Sequence, residues 1–285
     1  MFEHGVRPQF WLSLIVAFII LGVLFVVGWA GVSLFAFAVF PPLGMLAVIG
    51  YPFLVLLFAV GYLLSLDHLG GLGVGSIKWI NVSHPFVERL AFLASRVHVE
   101  VPRFGVATDV DIINAFTYGI FEPKVVVSRG CLENLSEDEL DFVVAHELGH
   151  IKYKWVWILY SISTSLFTLP MVMPTLVYAI MLLVSIPAKF ALYWFSRECE
   201  YLADREALFA IGNLRAAVTA LVKMELQLGE KGYNKTVKDV LTVDEYERIV
   251  EFTRTHPNTG RRIWELVKVY REYNMGSELE GFSLL

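Results

Sequence analysis

The chain has 285 residues, 56% of them hydrophobic and only 18% charged, with a formal net charge of −5. Soluble domains carry about a quarter charged residues, so this balance points to a membrane protein, and the net acidity gives nucleic acid no electrostatic footing. The two cysteines, Cys131 and Cys199, offer no disulfide framework and read as reduced thiols.

Residues 8–66 contain no Asp, Glu, Lys, Arg or His. A spanning helix needs about 20 apolar residues. The stretch therefore divides into two spans, near Phe10–Ala30 and Leu43–Leu66, with a break at Phe40-Pro41-Pro42-Leu43-Gly44. The apolar run far exceeds the roughly 7–15 residues of a signal-peptide core, which argues against a cleaved leader. Gly70, Gly71, Gly73 and Gly75 then form a flexible exit; no lysine follows at the spacing of a phosphate-binding loop. His84–Val99 reads as an amphipathic helix, with Phe86, Leu90, Phe92, Leu93 and Val97 apolar. Three strands are expected at Phe104–Ala107, Ile112–Thr117 and Lys124–Ser128, where β-branched and aromatic residues dominate. Ser136-Glu137-Asp138-Glu139 has capping-box spacing. It opens a helix that carries Ala145–His150 and is expected to run straight into a third span.

A second uncharged run, Trp155–Ser196, is interrupted only by Lys189 and is long enough for a helical pair turning at Pro170 and Pro174. Its second helix continues out through Arg197–Phe209, and the rest, to Leu285, reads as mostly helical and polar. Four spans place the N-terminus, Asp67–Lys154 and Arg197–Leu285 on one side. These stretches hold all Lys and Arg except Lys189, which can snorkel to the same side. Cytoplasmic loops collect Lys and Arg, so the expectation is a multi-pass plasma-membrane protein with both termini and the site cytoplasmic. The sequons at Asn81, Asn134 and Asn234 then face the wrong side for glycosylation.

His146 and His150 lie four apart and so share one helical face, with Glu147 beside them. Two neutral imidazoles suit zinc, and a neighbouring carboxylate can take a proton from water at the open coordination position. Such a metal commonly needs a third protein ligand. Glu200 and Asp204, also four apart, offer a carboxylate ligand and a second carboxylate to hold a ligand imidazole. If spans three and four pair as a hairpin, their ends are neighbours, and the candidate ligands meet within roughly 15 Å of the bilayer surface at about 1.5 Å per residue. Glu198 and Cys199 flank Glu200; on a helix Cys199 points about 100° away from it, which disfavours the thiol. His4, His68, His84 and His98 have no partner at ligand spacing and read as loop or surface residues.

In Asn114–Gly119, in Ala145–His150, in Ser196-Arg197 leading to Glu200–Asp204, and in Thr255-His256-Pro257 leading to Arg262-Ile263, the chain resembles the HtpX-type membrane zinc metalloproteases. These are related to the zinc-dependent CAAX prenyl proteases. The motifs occur in the family's order, and the resemblance covers nearly the whole chain.

It implies one zinc ion on His146, His150 and Glu200, with Glu147 as general base. Asp204 would hydrogen-bond a ligand histidine. His256 and Arg262 would approach the cleft, His256 as a donor to the oxyanion that amide hydrolysis builds. Asn114, Ala115 and Phe116 would lie on an edge strand that pairs with an extended substrate. The implied fold is a mainly α integral membrane protein: four transmembrane helices and a cytoplasmic zincin-like α+β protease domain with a small β-sheet. The parts would be residues 1–67 (two spans), 68–154 (sheet and H-E-x-x-H helix), 155–196 (two spans) and 197–285 (helical, with the third ligand). The implied partners are polypeptide substrates, above all membrane proteins, and the lipid bilayer. The implied activity is endopeptidase cleavage of membrane or misfolded proteins in quality control. A CAAX-type processing protease and a non-catalytic zinc-binding membrane scaffold are the alternatives. One departure from the family is Asn258, where a second proline often follows His-Pro.

Overall fold

A computed structural model describes residues 7–69, 76–81, 85–154, 158–159, 161–164, 175–230, 257–273 and 275. Helix α1 (Pro8–Val39) opens on a proline, whose missing N–H has no partner to lose at that position. It closes at Phe40, whose N–H donates to the Ala36 carbonyl. Pro41 cannot continue that ladder and instead begins α2 (Pro41–Leu69). The break falls where the sequence places it, and both helices outrun the expected spans. They are apolar on every side: Leu34 stands 69% exposed and Ile49 76%. Such helices belong in lipid or in a large core. Pro8–Val39 and Pro41–Ser65 are long and apolar enough to cross a membrane.

The polar part begins with β1 (Ile77–Trp79) and α3 (Pro85–Val97), followed by β2 (Arg103–Ala107), β3 (Ala115–Tyr118) and β4 (Lys124–Ser128). The sheet order is β1-β2-β4-β3, with β2 and β4 parallel and the outer pairs antiparallel. β4 is buried along its whole length, as a central parallel strand should be. β3 starts at Ala115 rather than Ile112, and lies at the sheet edge. Gly70, Gly71, Gly73 and Gly75 lie outside the described residues.

A short α4 (Arg129–Asn134) leads to α5 (Glu137–Lys152). The capping box is present: the Ser136 N–H donates to Glu139 Oε2 at 2.7 Å, and the Glu139 N–H to Ser136 Oγ at 3.4 Å. α5 does not run straight on as expected. Tyr153 caps it with a ψ of 42°, and the chain turns at Tyr153–Lys154. The reason is tertiary: Lys152 Nζ and Tyr153 Oη both donate to buried Glu206, at 2.8 and 2.6 Å. Of the second expected pair of spans, residues 155–157, 160 and 165–174 lie outside the described residues.

Helix α6 (Thr175–Ile211) runs unbroken from the apolar stretch into the polar one. At about 1.5 Å per residue it is roughly 55 Å long. Then come α7 (Leu214–Glu230) and α8 (Thr259–Glu272). Asn258, the departure noted above, caps α8: its side chain accepts from the Gly260 N–H at 2.8 Å. One core joins α3, the sheet and α5 to the end of α6 and to α7 and α8, around Phe142, Leu148, Leu208 and Tyr270. A second joins α1 and α2 to the middle of α6, around Phe10, Leu24 and Phe195. α6 thus belongs to both.

Candidate metal centre

The centre forms where α5 crosses α6. Gly149 permits that crossing: a Cβ there would lie 2.8 Å from Ala203 Cα. With the helices this close, three side chains from the two of them converge. His146 Nε2 lies 3.1 Å from His150 Nε2 and 3.5 Å from Glu200 Oε2, and His150 Nε2 lies 3.4 Å from Glu200 Oε1. Two imidazoles and a carboxylate bound tetrahedrally at 2.0–2.1 Å would have donor atoms about 3.3 Å apart. The triangle therefore fits a tetrahedral metal, and His146, His150 and Glu200 form a group among the described residues that could hold one.

His146 is oriented from behind. Its Nδ1 lies 2.9 Å from Asp204 Oδ1. Asp204 in turn accepts two hydrogen bonds from Arg262, Nε to Oδ2 at 2.7 Å and Nη2 to Oδ1 at 2.6 Å. With Nδ1 engaged, the Nε2 lone pair faces the centre, as ligand histidines require. Burial pulls the His146 pKa down, but Asp204 and Glu200 outweigh it and raise the value to about 9. Burial lowers that of His150. Burial would push the Asp204 carboxyl up; Arg262 and His146 outweigh it and hold it below its ordinary value.

Glu147 is buried beside the triangle. Its Oε2 accepts from Thr117 Oγ1 at 2.8 Å, and the same hydroxyl reaches the Glu147 carbonyl at 3.1 Å. Thr117 on β3 thereby ties the edge strand to the helix. Sequence reasoning did not single it out; its only signal was its place in the Asn114–Gly119 motif.

A cavity of about 640 Å³ gathers His146, Glu147, His150, Glu200, Arg262 and the start of β3 from Asn114 to Thr117. Asp204 sits behind it. The Asn114 main chain is engaged with Ser128: its N–H donates to Ser128 Oγ at 3.0 Å and its carbonyl accepts from the Ser128 N–H at 2.8 Å. Cys199 borders the cavity, while Glu198 lines a different one. His256 lies outside the described residues; Pro257 after it lines the cavity.

A carboxylate poised beside such a donor triangle, at a sheet edge, is the arrangement of a metallopeptidase, a hydrolase of peptide bonds. Residues 83–269 match peptidase family M48, and the chain belongs to that family. It is of HtpX type. A protease HtpX homolog of Pyrococcus furiosus is 29% identical over 218 residues, 66% of this chain and 73% of that one. A protease HtpX of Vibrio vulnificus is 26% identical over 248 residues, covering 77% and 84%. Among solved structures, S. mikatae Ste24p matches in fold with a TM-score of 0.56 at 16% identity, over 92% of this chain and 67% of that one.

Proposed function

We propose that the chain is a membrane-embedded zinc endopeptidase that cuts membrane or misfolded proteins at the cytoplasmic membrane surface, in protein quality control. The observation that carries this reading is the convergence of His146, His150 and Glu200 with Glu147 beside them. In this reading those three side chains hold zinc, and four helices span the bilayer with both termini inside. When bound, the metal polarises the scissile carbonyl and activates water. Glu147 takes the proton of the attacking water and passes it to the leaving amine. Thr117 holds the Glu147 carboxylate toward the cavity. Asp204, gripped by Arg262, keeps the His146 ring turned. His256 acts as oxyanion donor, and Arg262 acts through Asp204.

The substrate lies extended along β3 beside Asn114, Ala115 and Phe116. In an antiparallel pair, successive residues turn their main-chain groups alternately toward and away from the partner strand. Asn114 faces β4 through Ser128, so Phe116 does too. Ala115 and Thr117 then offer their main-chain groups to a substrate strand.

Cleavage of casein by the purified protein with zinc, beside Glu147→Gln, tests the reading. The variant should keep zinc and lose about 10²–10⁴-fold in kcat. Wild-type rates would sink the general-base role. Zinc content unchanged in Glu200→Ala would move the third ligand to Glu198 or Cys199. A reporter at the C-terminus found outside the cell would overturn the topology.

A further inference from the structure

The edge strand β3 is four residues long and pairs on one side alone, with β4. In the peptidase reading its other side receives the substrate, so the groups that hold β3 also set the binding edge. One attachment is Thr117, whose hydroxyl reaches Glu147. The other lies at the opposite end of the strand, and its centre is Ser128.

Ser128 is both the last residue of β4 and the N-cap of α4. Its N–H donates to the Asn114 carbonyl at 2.8 Å, as in an antiparallel ladder. The carbonyl of an N-cap is committed to its helix. The return bond of the pair therefore goes to the side chain: the Ser128 hydroxyl accepts from the Asn114 N–H at 3.0 Å. The same oxygen accepts the Cys131 N–H at 3.1 Å and donates its proton to the Ile112 carbonyl at 2.6 Å. A hydroxyl has one proton and two lone pairs, so this one is fully used. Cys131 Sγ adds a bond to the Asn114 carbonyl at 3.1 Å.

The loop before β3 lies flat on the first turn of α4. The Gly130 N–H donates to the Val110 carbonyl at 3.2 Å, and Arg129 pairs with Asp111. A Cβ on Gly130 would run into the Asp111 carbonyl oxygen and stand 2.6 Å from that of Ile112. Ser128 is 2% exposed, so water cannot stand in for its hydroxyl.

We propose that Ser128 is a positioning residue for substrate binding. Through Asn114 it sets the height and register at which Ala115 and Thr117 offer their main-chain groups to a substrate strand. The inference rests on the peptidase reading above and names the residue that holds its binding edge. Ser128 touches no reacting atom: Asn114, Ala115 and Thr117 line the cavity, and Ser128 stands behind them. Without the hydroxyl, the Asn114 N–H, the Cys131 N–H and the Ile112 carbonyl lose their partner together. The entry of β3 then lifts from β4, while Thr117 still holds Glu147 at the other end. Binding of an extended chain suffers, and the chemistry at the metal does not.

The test is steady-state cleavage of casein by the full chain with zinc. In Ser128→Ala, KM should rise about tenfold, the worth of a lost hydrogen bond or two, with kcat within about twofold, because binding shared by ground and transition states moves KM alone. Acetohydroxamate, a metal ligand too small to reach β3, should inhibit the variant as it inhibits wild type. Ser128→Thr keeps the hydroxyl and should restore KM. A merely destabilised fold would lower zinc content and kcat and leave KM unchanged. That pattern, or weakened inhibition by acetohydroxamate, would overturn the proposal. If Ser128→Ala fails to retain zinc, hydrogen exchange on the intact wild-type chain decides. The Asn114 amide should exchange at least about tenfold more slowly than the outward-facing Ala115 amide; equal rates would overturn the proposal. A wild-type chain that does not cleave casein defeats the peptidase reading. A wild-type chain that cleaves while Ser128→Ala keeps its KM defeats this inference alone.

Discussion

Gly149→Ala should disable the centre without touching a ligand. The added Cβ would meet Ala203 Cα at 2.8 Å, Ala203 Cβ at 3.0 Å and Ala203 O at 3.3 Å, whereas ordinary contacts begin at 3.4 Å. The nearest atom is main chain, so no rotamer relieves the clash. α5 and α6 must separate by about 0.6 Å at this point, in a close-packed interior. The proposed ligands sit on both helices within one turn of the crossing, and metal sites tolerate only about 0.2 Å. Overpacking of this kind costs about 1–3 kcal/mol. Alanine gains about 1 kcal/mol over glycine in helix propensity, which offsets part of it. A net loss of up to about 2 kcal/mol, falling on metal binding, weakens it by up to about 30-fold. Misplacement of the reacting groups should lower kcat by about 10²-fold even at saturating metal. Zinc affinity by chelator competition and casein cleavage read the two effects. Ala203→Gly should not rescue the variant, because the closest atom remains. Wild-type affinity and rate in Gly149→Ala, or full rescue by Ala203→Gly, would refute the claim that this crossing sets the ligand geometry.

Thr117→Val removes the hydroxyl donor at 2.8 Å from Glu147 Oε2 while keeping the shape. A hydrogen bond to a charged group contributes about 1.5–3 kcal/mol, so kcat should fall about 10–100-fold with zinc content unchanged; loss of zinc would mean the residue does something else. Glu139→Gln tests the start of α5. Burial alone would raise the Glu139 pKa, but Lys223 and the Ser136 N–H outweigh it and hold it below its ordinary 4.5. A depressed carboxylate stabilises the fold at neutral pH, and that contribution disappears as pH falls through its folded value, below 4.5. Wild type should therefore melt higher than Glu139→Gln at pH 7, by a few degrees for the roughly 1 kcal/mol of a cap. The gap should narrow as pH falls below 4.5. A gap that widens on acidification would reverse the sign of the argument.

What the sequence made legible was local or one step removed from local. His146 and His150 follow from the four-residue spacing of a helix, and so does the pairing of Glu200 with Asp204. Bringing the two pairs together needed only the idea that uncharged runs end side by side. Contacts set by tertiary packing were not legible in this way. Thr117 reaches Glu147 across 30 positions, and a threonine in a strand carries no sign of that. The end of α5 was not legible either: Lys152 in its last turn and Tyr153 at its cap both bond to Glu206, far along the chain. β1 is three residues with a lysine at its centre, too short for alternation to register.

The charges at the centre argue for a divalent cation independently of distances. Glu147, Glu200 and Asp204 are each less than a tenth exposed, and Arg262 pairs with Asp204 and lies 3.9 Å from Glu200. Three buried carboxylates gathered around one guanidinium raise the demand for positive charge at this point. The side chains reveal the imbalance themselves: His146, although buried, is driven to a pKa of about 9 by Asp204 and Glu200. In the proposed reading a divalent cation would supply that charge and displace the proton from His146, so acid and metal would compete for the same nitrogen. The Asp204–Arg262 pair tunes this competition. Asp204 raises the basicity of His146, and Arg262 opposes that rise.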